Sequence, residues 1–202
     1  MKNTMAALGM MALLGCAHMD AAGSGGQASA KATVSAGDYY PLVVGTLWTY
    51  EASMLGEKQG ISVEILKKEG DFAVDSTGAQ LMVDTYGVRD QKRYLLRNPI
   101  EVGTRWTNVV SVSSVESYEI TSVDDACETP AGAFKNCVMV KSSNRVKEGE
   151  TLINDMTFAP HVGIVRIATA LDSRGKLIPQ SQLQLTRFVA APAAIDTTNS
   201  PK

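Results

Sequence analysis

Histidine is scarce in this chain of 202 residues, with only His18 and His161 present. Nucleophile–base pairs of the Ser–His or Cys–His kind can therefore be built in the folded region only around His161, which sits between proline and valine in a turn-like phrase. No Gly-x-Ser-x-Gly elbow, His-Glu-x-x-His, P-loop or Gly-x-Gly-x-x-Gly phrase occurs. Charge of one sign is also lacking. Lys and Arg number 19 against 21 Asp and Glu, for a net charge of −2. The basic residues are scattered, so the electrostatic footprint of a nucleic-acid binder is missing. No apolar run reaches the roughly twenty residues needed to cross a bilayer as a helix. Carboxylate pairs for glycoside chemistry depend on spacing in the fold, and no pair stands out. These absences lead to the expectation of a chain without catalytic activity, cofactor or metal.

The three cysteines, Cys16, Cys127 and Cys137, divide into one plus two. The first closes "MKNTMAALGMMALLGC", in which Lys2 precedes a short apolar run ending in a small residue and cysteine. That layout suits an export signal, and its ending resembles the lipobox of bacterial lipoproteins. The resemblance implies removal of residues 1–15 as signal peptide and lipidation of Cys16. An ordinary secretory signal with an incidental cysteine is the plainer alternative. In the sorting rule of Gram-negative lipoproteins, aspartate after the lipidated cysteine retains the protein at the inner membrane. Ala17 stands there instead, which implies the outer membrane. Residues 16–37 are rich in Gly, Ala and Ser and read as a flexible tether.

Cys127 and Cys137 bracket "ETPAGAFKN", a turn between two strands. In an oxidising compartment the spacing favours a structural disulfide. An unpaired state, a redox pair or metal ligation are weaker alternatives, since no histidine is nearby. The acidic group Asp124, Asp125 and Glu128 lacks the alternating pattern of a calcium loop and reads as a charged hairpin end.

Residues 38–189 are long enough for one domain with a core, and 190–202 read as a frayed tail. Short alternating runs recur along this domain. "ISVEIL" sets Ile61, Val63 and Ile65 on one face; "FKNCVMV" sets Phe134, Val138 and Val140 against Cys137 and Met139; "SQLQLTR" does likewise with Leu183 and Leu185. With frequent Gly and Pro punctuation, the pattern predicts an all-β fold. The expectation is an antiparallel sandwich or open or half barrel of about nine to eleven short strands.

One phrase is said twice. "PLVVGTLWT" (41–49) and "PIEVGTRWT" (99–107) agree at six of nine positions, and they hold both tryptophans of the chain. Pro41 and Pro99 belong just outside a strand, Gly45 and Gly103 in a turn, and Trp48 and Trp106 at the start of the strand that follows. The phrase is read as the opening of a duplicated hairpin unit whose tryptophans anchor two regions of core. "PHVGIVR" from Pro160 looks like a degraded third copy. An aromatic platform for sugar or another ligand is the functional alternative.

"YYPLVVGTLWTYEAS", "ETPAGAFKNCVMV" and "FAPHVGIVR", in that order, resemble a group of exported bacterial β-rich lipoproteins. These carry aromatic-aromatic-Pro-Leu-x-x-Gly-x-x-Trp-x-Tyr, Pro-Ala-Gly-x-Phe and Pro-x-Val-Gly segments. The resemblance supports fold and location and brings no catalytic residue. Two roles follow as expectations. One is a structural or interaction module, attached to the membrane through its anchor and binding an envelope protein. The other is a carrier that cups an apolar small molecule or lipid in a curved sheet, with Met54, Met82, Met139 and Met156 as adaptable lining.

Overall fold

The computed structural model describes residues 34–192; Cys16, the signal segment, most of the tether and residues 193–202 lie outside that range. A single 3-10 turn, Ala36–Asp38, comes first. Ser35 caps it: the serine hydroxyl accepts from the Gly37 N–H, and the Asp38 carboxylate accepts from the Ser35 N–H at 2.8 Å. Ala36 is fully buried, and its N–H donates to Asn98 Oδ1 at 2.8 Å. Residues 35–37 therefore belong to the fold and not to the tether that their small-residue composition suggests. A small side chain can fill a tight interior position as well as populate a linker.

Twelve strands follow: β1 (Leu47–Met54), β2 (Glu57–Glu69), β3 (Phe72–Asp75), β4 (Gln80–Asp84), β5 (Gly87–Arg89), β6 (Tyr94–Arg97), β7 (Arg105–Ser111), β8 (Ser114–Thr129), β9 (Gly132–Lys147), β10 (Glu150–Ala159), β11 (Gly163–Ser173) and β12 (Lys176–Val189). The count exceeds the expected nine to eleven because β3 and β5 are too short to display a period. Every ladder is antiparallel, and the strands lie in one sheet of order β6-β5-β4-β3-β2-β1-β12-β11-β10-β9-β8-β7. The fold is all-β and barrel-like, nearly closed, with the outermost strands β6 and β7 consecutive in the chain.

No ladder joins those two edges; side chains do. Trp106 Nε1 donates to the Tyr94 carbonyl at 2.8 Å, Asn108 Nδ2 donates to the same oxygen, and Asn108 Oδ1 accepts from the Tyr94 N–H. The edge of β6 thus abuts the core-bearing face of β7, and its polar backbone is satisfied at Tyr94 without a neighbouring strand.

Alternation does what period two requires. On β2, Ile61, Val63 and Ile65 turn inward while Ser62 and Glu64 are exposed. The interior holds two clusters. Trp106, Tyr118, Ile120, Val140, Met156 and Phe158 belong to one, and Trp48, Tyr50, Ile65, Val165 and Leu185 to the other. Burying an aliphatic side chain contributes about 1.5–3 kcal/mol, so these clusters dominate stability. On β9 the expected alternation breaks. Cys137 and Val138 are both fully buried, and Phe134 packs with the Trp48 cluster, not with Val138. The cause is Asn136 at φ +55, an irregular residue that reverses the facing of everything before it.

Candidate functional site

The doubled phrase is one local structure built twice. Gly45 takes φ +90 and Gly103 φ +88. Gly45 N–H donates to the Ile65 carbonyl at 2.8 Å, as Gly103 N–H does to that of Ile120 at 2.8 Å. Ile65 N–H returns to the Thr46 carbonyl at 3.0 Å, and Ile120 N–H to that of Thr104 at 2.9 Å. Pro41 and Pro99 stand outside the strands, and the two phrases open the β1–β2 and β7–β8 hairpins. Trp48 is 1% exposed and Trp106 5%. Trp48 donates to the Val162 carbonyl and Trp106 to that of Tyr94. Buried to this degree, the two rings form no ligand platform. Pro160–Gly163 differs: it is a hairpin turn joining β10 to β11, and the ring of Tyr40 packs against Gly163.

The wall best suited to binding is the inward face beyond the core. From β8 to β1 the registers set out one inward row of Ile120, Val140, Met156, Ile167, Leu183 and Ala52. Two residues further along each strand, roughly 7 Å away, the corresponding row is Tyr118, Ser142, Asn154, Thr169, Ser181 and Met54. The interior changes there from aliphatic to hydroxyl and amide. Thr169 Oγ1 donates to Asn154 Oδ1 at 2.8 Å, and Asn154 Nδ2 to Ser142 Oγ at 3.2 Å. Beside this belt, Trp106 and Tyr118 stack at 5.2 Å. Burial, together with its hydrogen bond to Glu116, pushes the Tyr118 phenol well above the usual tyrosine range. Glu116 is held in turn by Arg93, Nε to Oε2 at 3.0 Å. The polar groups of this wall are hydroxyls and an amide, bonded to one another. The sequence gives no sign of it because Ser142, Asn154 and Thr169 are brought together only by register.

The four methionines suggested as an apolar lining are dispersed: Met156 is core, Met139 faces the opposite side of the sheet, Met82 is half-buried on β4, and Met54 is 63% exposed at a hairpin end. His161 is exposed in the β10–β11 turn at φ +60, with its backbone N–H on the Asp38 carbonyl. Among the described residues no group of three or more His, Cys, Asp or Glu is placed to hold a metal ion.

Cys127 and Cys137 are bonded to each other. They are not register partners, since Asp125 pairs with Cys137 and Cys127 with Phe134. The bond therefore spans an irregularity where the β8–β9 hairpin bends, with Asp124 at φ +62 on one strand and Asn136 at φ +55 on the other. The bent end reaches across the neighbouring strands: Ala131 N–H donates to the Leu185 carbonyl on β12 at 3.1 Å, and Arg166 on β11 to the Glu128 carbonyl at 3.0 Å. Between this end and the sheet lies a cleft of about 170 Å³, with Cys127, Glu128, Met139, Thr157, Val165 and Arg166 among its walls.

No family model and no curated protein matches the chain. A crystal structure of a "putative lipoprotein" from Parabacteroides distasonis aligns over 75% of this chain and 98% of that one, at 15% identity and a TM-score of 0.40. Likeness at that level leaves any functional reading to the residues themselves.

Proposed function

We propose that this protein is a lipid-anchored module of the bacterial outer membrane, tethered through Cys16, that binds other envelope components and catalyses no reaction. The N-terminal ending at Cys16 and the Gly, Ala and Ser-rich stretch behind it support the anchor. A cystine in a chain of this size suits an exported protein. The observation that carries the binding role is the inward belt of Ser142, Asn154 and Thr169 beside a filled aliphatic interior. That chemistry favours polar envelope material, with hydroxyl and amide groups to offer, over the apolar cargo of a carrier.

The anchor is tested by growing cells on labelled palmitate and comparing the wild type with Cys16→Ala. Label in the wild type alone, in the outer-membrane fraction, supports it. An unlabelled wild-type product that retains residues 1–15 overturns it. The binding role is tested by native mass spectrometry of the unlipidated Cys16→Ala chain. Co-purifying lipid would revive the carrier reading, whereas soluble glycan fragments that bind the wild-type belt and fail on Asn154→Leu support the present one.

A further inference from the structure

The bent end of the β8–β9 hairpin is held in an unusual way. The Cys127–Cys137 bridge ties its two strands together across the bend, out of register with the ladder on either side. Among the described residues, direct polar attachment of this end outside the ladders consists of the Ala131 and Arg166 hydrogen bonds and that of the Tyr39 hydroxyl to the Asn136 carbonyl at 3.0 Å, beside the apolar packing of Phe134 and Ala131. Each is a single hydrogen bond, individually weak once exchanged for water. The bend itself places two non-glycine residues, Asp124 and Asn136, in the left-handed region, a conformation that costs free energy. Under the end lies Val165, fully buried, beside Arg166. Cys137 is also fully buried, whereas Cys127 is half-buried and so is the sulfur an attacking thiolate meets first.

We infer that the cystine is a latch: reduction by a dithiol frees the β8–β9 end and opens the cleft over Val165 and Arg166, while the rest of the barrel stays folded. The exchange balances. A thiolate of the dithiol attacks Cys127 Sγ, the S–S bond breaks, and its electron pair leaves on Cys137 Sγ, which is then protonated. The second thiol of the reductant displaces Cys127 as thiolate, and the reductant departs as a cyclic or internal disulfide. Opening exposes the apolar floor at Val165 and releases the Arg166 guanidinium from the Glu128 carbonyl, presenting a cation beside an apolar patch.

The barrel does not depend on the bridge in the same way. The bent end does pack Cys137, Phe134, Ala131 and Cys127 against the Trp48 cluster, so release loosens the rim of that cluster. The β1–β2 and β7–β8 ladders that carry Trp48 and Trp106 lie outside the bend, however, and local release is expected without global unfolding.

Hydrogen exchange followed by mass spectrometry, on the full chain with Cys16→Ala, reads this directly with dithiothreitol as the probe. On reduction, exchange should rise roughly tenfold or more in residues 123–137 and at 164–167, with the backbone amides of the β1–β2 and β7–β8 ladders unchanged. Two results overturn the inference: unchanged exchange at the hairpin end after complete reduction, or loss of protection throughout the barrel. Arg166→Ala separates the latch from its lesser contacts. In the oxidised variant the end should remain closed, and opening there without reductant would assign the hold to the arginine instead.

Discussion

The side-chain amide of Asn108 meets both backbone groups of Tyr94, accepting its N–H and donating to its carbonyl, each at 3.1 Å. At the one place where the sheet lacks a ladder, a side chain supplies what a thirteenth strand would. Asn108 is 5% exposed, so water cannot readily replace it. Asn108→Ala should lower stability by about 2–3 kcal/mol, for two hydrogen bonds lost and a backbone pair left unsatisfied. Urea unfolding measures this, and tryptophan emission should report it, because Trp106 bonds to the same carbonyl.

The two copies of the repeated turn should respond alike to the same change. A methyl group on Gly103 would meet nothing within 4 Å, and one on Gly45 only the ordinary contact of Pro192 Cδ at 3.6 Å and, more distantly, Ala191. The cost of alanine is then backbone strain alone, about 1–2 kcal/mol at either position. Gly45→Ala and Gly103→Ala should therefore agree within experimental error when compared by urea unfolding. A large difference would mean that one of the turns does something besides turning.

Leu55 presents the opposite situation. It occupies φ +52 at the β1–β2 turn and is 88% exposed, where Asn-Gly is the favoured pair. Leu55→Asn should stabilise the protein by about 0.5–1 kcal/mol, seen as a higher urea midpoint with an unchanged slope.

Asp84 makes stability depend on acid. Burial alone would raise its pKa, but the N–H groups of Tyr86 and Gly87, the Tyr94 hydroxyl and the Arg89 guanidinium together bring it below the usual range. A folded pKa below the unfolded value of about 3.9 means a contribution fully present above that pH and lost as pH falls through the folded value. Asp84→Asn should be less stable than the wild type at pH 7, by an amount that stays flat down to about pH 5 and closes below about pH 4. A gap that widened in acid would refute the assignment.

Much of this fold could be read from residue order. The alternation of Ile61, Val63 and Ile65 and the doubled proline–glycine–tryptophan phrase are local signals, and local signals survive folding. What escaped was non-local. Asp124 and Asn136 do not announce a bend, since neither residue type is confined to left-handed backbone. Ala36 is hidden among linker-like neighbours, and its burial depends on Asn98, far along the chain. The belt of Ser142, Asn154 and Thr169 exists only once three ladders are in register.

The first strand and the last are side by side, with Leu47 opposite Val189 and Met54 opposite Ser181. A pairing between opposite ends of the polypeptide has a high loop-closure cost and forms late. For a chain that leaves the ribosome N-terminus first, the halves can zip as separate meanders, yet the cylinder cannot be completed until the final segment has emerged. Truncation near the C-terminus would thus strand β1 with an open flank, and the emergence of β12 sets the earliest moment at which the native protein can exist.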